Sequence, residues 1–149
     1  MSIVEYLDDR LVVFLHVNSQ TEAIGALIES LDQAHKLKDK TVFQKAILDR
    51  EKLVSTGIGL SLAVPHAKLP GYAEFFIAIG IQGGEGIDWN SLDGTQVHLV
   101  FMIGGPDNRQ TEYLNILSKL TTALKDEERR KALLKATSAK QVIDLFKGC

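Results

Sequence analysis

Two apolar segments constrain the fold of this chain more than any other feature. FFIAIGIQ (75–82) and VHLVFMI (97–103) are rich in β-branched and aromatic residues, which predicts two strands. Helical patterns come before and after these segments, and LVVFLH (11–16) is a candidate for an additional short strand. The order of helices, strands and helices predicts an α/β fold in which a mixed β-sheet is sandwiched between α-helices.

Local signals place two helices before the strands. Ser19 begins a capping-box pattern ahead of a helical repeat of apolar residues, and Asp39 can cap a second helix that ends near Glu51. Arg50 falls on the apolar stripe of the second helix because it lies three residues after Ile47. An arginine at such a position must find an anion or expose its head at the helix end.

Three further helices are predicted after the strands. The first has apolar residues at helical spacing with Tyr113 beside them, and the next two begin at an acidic cap and at a second capping box. The stripe and the two caps are Leu114, Leu117, Leu120 and Leu124, then Asp126, then Ser138, with the last helix running through Phe146.

Length and charge limit the classes of partner. The 149 residues fit a single domain over residues 1–149, and 17 basic against 19 acidic residues favour neither a nucleic acid nor an anionic membrane as a partner. The one cysteine, Cys149, cannot close an internal disulfide, and the sequence contains neither a signal peptide nor an apolar run long enough to insert into a membrane. We therefore expect a cytoplasmic protein.

His66 is the first candidate for chemistry. LSLAVP (60–65) alternates and then reaches Pro65, which predicts a short strand that ends at His66. If the strand stops there, the imidazole can face a crevice. If the strand continues, alternation sends the ring into the core with Leu62 and Val64.

Arg50 and the segment STGIG (55–59) are candidates for binding an anion. A guanidinium matches phosphate oxygens, although Arg50 could instead bind the last carbonyls of its helix or pair with Asp49 or Glu51. Ser55, Thr56 and Gly57 supply hydroxyls and unobstructed backbone donors, as an anion-binding nest does and as ordinary turns also do. Neither a dinucleotide fingerprint nor GxxxxGK[ST] is present, which argues against a nucleotide site.

The remaining histidines predict no metal site. His16, His35 and His98 form no HxH, HExxH or His/Cys pattern, so we assign neither a metal nor another cofactor. His98 is most simply a strand residue with a hydrogen-bond partner. A Ser-His-Asp hydrolase is not excluded by spacing, but no GxSxG elbow supports one.

Together these segments resemble a known family, the IIA domains of the bacterial phosphotransferase system (PTS) of the fructose/mannitol and nitrogen-regulatory type. DREKLVSTGIGLSLAVPHAKLPG (49–71) is similar to the family pattern of an arginine-bearing helix end, STGIG and Pro-His. IDWNSLDGTQVHLVFMI (87–103) and EYLNILSKLTTAL (112–124) resemble the segments that follow. The resemblance covers nearly the whole chain and identifies it as one EIIA type-2 domain.

This resemblance implies a phosphohistidine carrier with an α/β sandwich fold. His66 would accept a phosphoryl group from the phosphocarrier HPr, or a paralogue, and pass it to a IIB domain or hold it as a regulatory signal. Arg50 would neutralise the phosphate, with the Ser55 and Thr56 hydroxyls near it. Histidine titrates near pH ~6.5, so the neutral nucleophile predominates at pH 7.

Departures from the family pattern leave a second function open. Many relatives carry a second histidine where this chain has Tyr113, and a phenol cannot become the cation that an imidazole can. Leu60 and Ser61 replace a small polar pair that is commonly Asn-Gly, and Ala67 stands where glycine is common. The nitrogen-regulatory type is favoured over sugar transport, and the alternative is a degenerate regulatory module that binds proteins without being phosphorylated.

Overall fold

A computed structural model describes residues 2–149. Within these residues, two short 3-10 turns (Ile3–Tyr6 and Asp9–Leu11) are followed by one strand, two helices, five strands and three helices. The helices are α1 (Gln20–Gln33), α2 (Lys40–Leu53), α3 (Gln110–Leu124), α4 (Glu127–Lys135) and α5 (Ala139–Asp144), and the strands are β1 (Val12–Leu15), β2 (Gly57–Gly59), β3 (Leu62–Ala63), β4 (His66–Leu69), β5 (Phe76–Gln82) and β6 (Leu99–Pro106). Within residues 2–149, no helix has the length and hydropathy needed to cross a membrane.

One mixed sheet contains all six strands. Its order is β1-β5-β6-β3-β2, and β4 also pairs with β6. The two predicted apolar strands, β5 and β6, are antiparallel neighbours at its centre, whereas β1, β3 and β4 each pair in parallel. The predicted strand at 11–16 is therefore present as β1, and the predicted mixed sheet is confirmed.

The central strands are buried on both faces because helices cover each side of the sheet. Alternate residues of β6 enter separate cores: Val100 and Met102 pack with residues of α1 and α2, and Phe101 and Ile103 pack with residues of α3 and α5. This alternation follows from the two-residue repeat of a strand. The predicted sandwich of helix, sheet and helix is confirmed.

The predicted helix starts are confirmed by side-chain caps. Ser19 Oγ accepts a hydrogen bond from the Glu22 backbone N–H (3.2 Å), and Asp39 Oδ1 accepts one from the Val42 backbone N–H (3.1 Å). The second helix continues past Glu51 to Leu53, and the last helix ends at Asp144, before the predicted Phe146. Caps depend on local sequence, so helix starts are easier to predict than ends.

The predicted stripe of the third helix is partly wrong. Tyr113, Ile116 and Leu120 are buried on α3, but Leu114 is 51% exposed. The buried stripe therefore begins at the phenol, one residue before the predicted leucine. Leucine spacing alone could not reveal this, because Tyr113 is buried by contacts with the rings of His66 and Phe75, which are distant in sequence.

The predicted short strand that ends at His66 is partly wrong, because the strand is interrupted before Pro65 and a second strand begins after it. β3 ends at Ala63, and β4 begins at His66. Pro65 has no N–H for the ladder, but its carbonyl accepts a hydrogen bond from the Ile103 backbone N–H (3.0 Å). The long strand β6 thus pairs with β3 and β4 one after the other, and His66 opens a new strand.

A tight turn at Leu60 and Ser61 joins β2 to β3. Both residues have positive φ, 57° and 63°, which is the conformation of a two-residue type I′ hairpin turn. The backbone N–H groups of Leu60 and Ser61 donate to Asp93 Oδ2 (3.1 Å) and Thr95 Oγ1 (3.3 Å). Contacts from the neighbouring loop therefore hold a branched apolar residue in a conformation that Asn-Gly adopts more readily.

Relief of the backbone strain in this turn is expected to stabilise the protein. The double substitution Leu60→Asn with Ser61→Gly should raise the free energy of unfolding by about 1 to 2 kcal/mol, because both new residues accept positive φ. Urea unfolding followed by circular dichroism measures the change. Leu60→Ala, which keeps a residue with a Cβ in the turn, is the control and should show no such gain. A urea-unfolding midpoint for the double variant at or below that of the wild type would contradict the claim that this turn is strained.

Candidate functional site

His66 lies half-buried at the first position of β4. Its Nδ1 is 3.1 Å from the carbonyl oxygen of Val64. Because that carbonyl can only accept, Nδ1 carries the proton in the neutral ring and Nε2 keeps its lone pair. The side chain is thus in neither extreme predicted from the sequence: its ring is partly covered, with one nitrogen engaged and one available to react.

The surroundings of His66 favour its neutral form. Burial lowers the pKa of His66 below 6.5, and the positive charges of Arg50 and Lys68 lower it further. The bond to the Val64 carbonyl and the negative charge of Glu51 act in the opposite direction, but the net shift is downward. The ring is therefore unprotonated at pH 7, as a nucleophile must be.

Arg50 lies in the last turn of α2, and α2 packs against β4. Its Nη1 donates to the Val54 carbonyl (2.8 Å), which is the residue that follows the helix. Burial is the main cause that lowers the pKa of His66, and the guanidinium charge lowers it further; at Tyr113 burial raises the pKa and the same charge opposes that rise. Both interpretations of Arg50 therefore hold together: it binds the end of its own helix, and its charge acts on the imidazole.

Ser55, Thr56 and Gly57 are all hydrogen-bonded within the chain. The Ser55 hydroxyl donates to the Trp89 carbonyl (2.5 Å) and accepts from the Gly57 backbone N–H (3.0 Å). The Thr56 hydroxyl donates to the Glu51 carboxylate and accepts from Trp89 Nε1 (3.1 Å). In this structure these groups hold the STGIG segment in place, and their contact with a phosphate stays a prediction.

Gly57 is required by close approach. A Cβ built at this position would lie 2.4 Å from Ser91 Oγ, a distance that no side chain tolerates. The backbone of Gly57 also accepts a hydrogen bond from the Leu92 backbone N–H (3.2 Å). The loop between β5 and β6 therefore packs directly on the STGIG segment, which brings Trp89 to the end of α2.

Glu51 is a functional candidate that the sequence analysis considered only as a partner for Arg50. Its carboxylate accepts hydrogen bonds from Gln20 Nε2 (3.1 Å), the Thr56 backbone N–H (3.2 Å) and Trp89 Nε1 (3.3 Å). One side chain thus joins α1, α2, the STGIG segment and the loop before β6. No local sequence pattern predicts this role of Glu51, because Gln20 and Trp89 are distant from it in sequence.

Tyr113 and Lys68 complete the surroundings of the imidazole. Tyr113 is 5% exposed in the first turns of α3, and its ring centroid lies 5.5 Å from that of His66. Burial raises the pKa of the Tyr113 phenol, so it is neutral at pH 7. Lys68, which the sequence analysis did not select, has its Nζ 4.3 Å from the centroid of the Tyr113 ring. The spacing of two residues from His66 on a strand was the signal that could have found it.

The predicted site residues therefore fall into two groups. Arg50, His66 and Tyr113 are brought together where the end of α2, the start of β4 and the first turns of α3 meet, and Lys68 joins them. Ser55, Thr56 and Gly57 lie in the segment that supports this junction. A neutral imidazole beside two cations is suited to attack an anionic electrophile such as a phosphoryl group.

Comparison with known proteins identifies the family. The family model described as "Phosphoenolpyruvate-dependent sugar phosphotransferase system, EIIA 2" matches residues 5–149. This chain belongs to that EIIA family. The fructose-specific EIIABC component of Bacillus subtilis is 40% identical over 148 residues, which are 98% of this chain but 23% of that protein. The chain thus spans about a quarter of the length of that EIIABC relative.

Two solved EIIA structures share the fold along almost their whole length. The nitrogen regulatory protein IIA-Ntr of Neisseria meningitidis has a TM-score of 0.89 and 27% identity, covering 97% of this chain and 99% of that one. The IIA mannitol enzyme of Escherichia coli, solved in complex with phosphorylated IIB mannitol enzyme, has a TM-score of 0.75 and 25% identity, covering 95% and 97%. The resemblance stated from the sequence is therefore confirmed.

Proposed function

We propose that this EIIA domain is a phosphohistidine carrier whose acceptor atom is Nε2 of His66. The observation that carries the proposal is the bond between Nδ1 and the Val64 carbonyl, since it leaves the Nε2 lone pair as the nucleophile. The depressed pKa of His66 supports it, because no proton has to leave Nε2 before attack at neutral pH. Arg50 is the cation that neutralises the incoming phosphoryl group.

The donor is an HPr-type phosphocarrier with a phosphohistidine of its own. The lone pair of His66 Nε2 attacks phosphorus, a new N–P bond forms, and the N–P bond of the donor breaks with its electron pair returning to the donor imidazole. The proton on Nδ1 of His66 stays on that nitrogen and remains hydrogen-bonded to the Val64 carbonyl throughout. Little further chemistry is needed, because phosphoryl transfer depends mainly on in-line positioning and on charge stabilisation.

The acceptor is a IIB domain or a regulatory target, and the nitrogen-regulatory type is the branch we favour. The similarity to the Neisseria meningitidis nitrogen regulatory protein over nearly its full length supports that branch. The 40% identity to a fructose-specific component supports sugar transport as the alternative. Incubation of the phosphorylated chain with a fructose-type IIB domain separates them: rapid loss of the phosphoryl group to IIB favours transport, and retention favours regulation.

A second candidate function is a regulatory module that binds proteins without being phosphorylated. The observation behind it is Tyr113, a buried phenol whose pKa is raised by burial, at the position where the resemblance to the family implies a second histidine. Such a module would keep the fold and the ability to bind a partner protein, and it would lose the phosphoryl-transfer chemistry.

Labelling with phosphoenolpyruvate, enzyme I and HPr decides between the two functions. The carrier gains one acid-labile phosphoryl group per chain, which phosphorus NMR assigns to Nε2 of a histidine. A chain that stays unlabelled while a known EIIA in the same mixture is labelled would refute the carrier and leave the binding module.

A further inference from the structure

Lys68 shares one face of β4 with His66. The two residues are separated by one position, so their side chains leave the strand on the same side. They pair with Ile103 and Gly105 of β6, which fixes both along the same strand. The face they share is the one that α3 covers, because Ile103 and Tyr113 belong to the core on that side of the sheet.

Two contacts hold the ammonium group of Lys68 beside the site. Its Nζ lies 4.3 Å from the centroid of the Tyr113 ring, and it donates a hydrogen bond to Gln110 Oε1 (2.6 Å). The face of an aromatic ring attracts a cation without neutralising it. Gln110 is also uncharged, so both contacts position Lys68 and leave its full positive charge in place.

The phosphoryl group needs more charge than Arg50 supplies. A phosphoryl group on a side chain carries close to two negative charges at neutral pH, and Arg50 offers one positive charge. Tyr113 cannot supply the other, because its phenol is neutral and burial raises its pKa. The rings of Tyr113 and His66 are 5.5 Å apart between centroids, and the Lys68 charge, after burial, is one of the causes that lower the pKa of His66, so this charge acts on the imidazole.

We propose that Lys68 supplies the second positive charge for the phosphoryl group on His66, and that the Tyr113 ring and Gln110 act as its positioning residues. This inference rests on the proposed carrier function. On transfer, the ammonium group exchanges its hydrogen bond to Gln110 Oε1 for one to a phosphoryl oxygen while it stays over the Tyr113 ring. Tyr113 thus holds a cation beside the imidazole, although it cannot itself be one.

The inference is tested with two donors, phosphorylated HPr and the small molecule phosphoramidate, whose P–N bond breaks with release of ammonia. Lys68→Met, which removes the charge and keeps the length, should slow labelling by both donors about tenfold, as expected for loss of one charge-assisted hydrogen bond. Lys68→Arg should recover most of the rate. Lys119→Met, on α3, is the matched control and should leave the rate unchanged.

Two further measurements separate charge from structure. Lys68→Met should raise the pKa of His66 in an NMR titration, and Lys68→Arg should restore it, because the lysine charge lowers that pKa. Tyr113→Phe, which keeps the ring, should retain more of the rate than Tyr113→Leu, which removes it. Unfolding curves confirm that each variant is folded.

The outcomes are distinguishable. If Lys68→Met slows transfer from phosphorylated HPr but not from phosphoramidate, Lys68 is a docking contact and the inference is overturned. Equal rates for wild type and Lys68→Met with both donors also overturn it. If the wild type is labelled by neither donor, the carrier function itself fails, and Lys68 has no phosphoryl group to neutralise.

Discussion

His66→Ala is expected to take up no acid-labile phosphoryl group from phosphorylated HPr, whereas the wild type takes up one. The reason is that Nε2 of His66 is the proposed nucleophile and no neighbouring group replaces it: the Tyr113 phenol is neutral at pH 7 because burial raises its pKa. Scintillation counting of the gel-purified chain after labelling from radioactive phosphoenolpyruvate measures the difference. His66 is only half-buried, so the variant should fold.

His98→Ala is the matched control for His66→Ala. His98 also has a ring nitrogen close to a backbone carbonyl, with Nε2 3.1 Å from the Gly84 oxygen, but it lies ahead of β6 and outside the site. The His98→Ala variant should take up as much phosphoryl label as the wild type. Retention of the label by His66→Ala, with loss in His98→Ala, would move the phosphorylation site to another histidine.

Arg50→Met is expected to slow transfer from HPr by roughly a hundredfold, the loss typical for removal of one charged group that stabilises a developing anion. It should also raise the pKa of His66, because the Arg50 charge lowers that pKa in the wild type. The two effects have different signatures in a pH profile. The lost charge lowers the rate at every pH, and the raised pKa reduces it further only on the acidic side.

The sign of the pH dependence follows from the direction of the His66 shift. The folded pKa lies below 6.5, so the reactive neutral form persists as pH falls through 6.5 and is lost only at lower pH. The inflection in the Arg50→Met profile should lie at a higher pH than in the wild type. Arg10→Met, which removes an arginine paired with Asp8, is the control. An Arg50→Met rate equal to that of Arg10→Met would exclude Arg50 from the transfer step.

The fold was predictable from the sequence where local chemistry determines structure. Ser19 and Asp39 cap their helices with their own side chains, so the helix starts needed no tertiary information. The apolar runs that form β5 and β6 were long enough to identify themselves as central strands. The new strand that begins at His66 was not predictable, because it depends on β6 being long enough to pair with two short strands in succession.

The candidate site divides in the same way. Arg50 and His66 could be selected because the segment that contains them resembles a family pattern. Glu51 could not, since Trp89 and Gln20 reach it only through packing of distant segments. Lys68 could have been placed beside His66 by its spacing on the strand, but its contact with Tyr113 required the structure. The Tyr113 position was identified, but its buried orientation required the structure, because leucine spacing favoured a different face of α3.

The bond between Nδ1 of His66 and Val64 has a consequence for the order of events in a relay. Because Nδ1 is bonded to the Val64 carbonyl, the proposed carrier receives and releases the phosphoryl group through the same atom, Nε2. The phosphoryl donor and the phosphoryl acceptor consequently compete for one site at His66 and cannot bind there together. In each transfer cycle the donor must then dissociate completely before the acceptor binds. The lifetime of the phosphorylated domain between these two encounters is therefore the quantity that a cell could regulate.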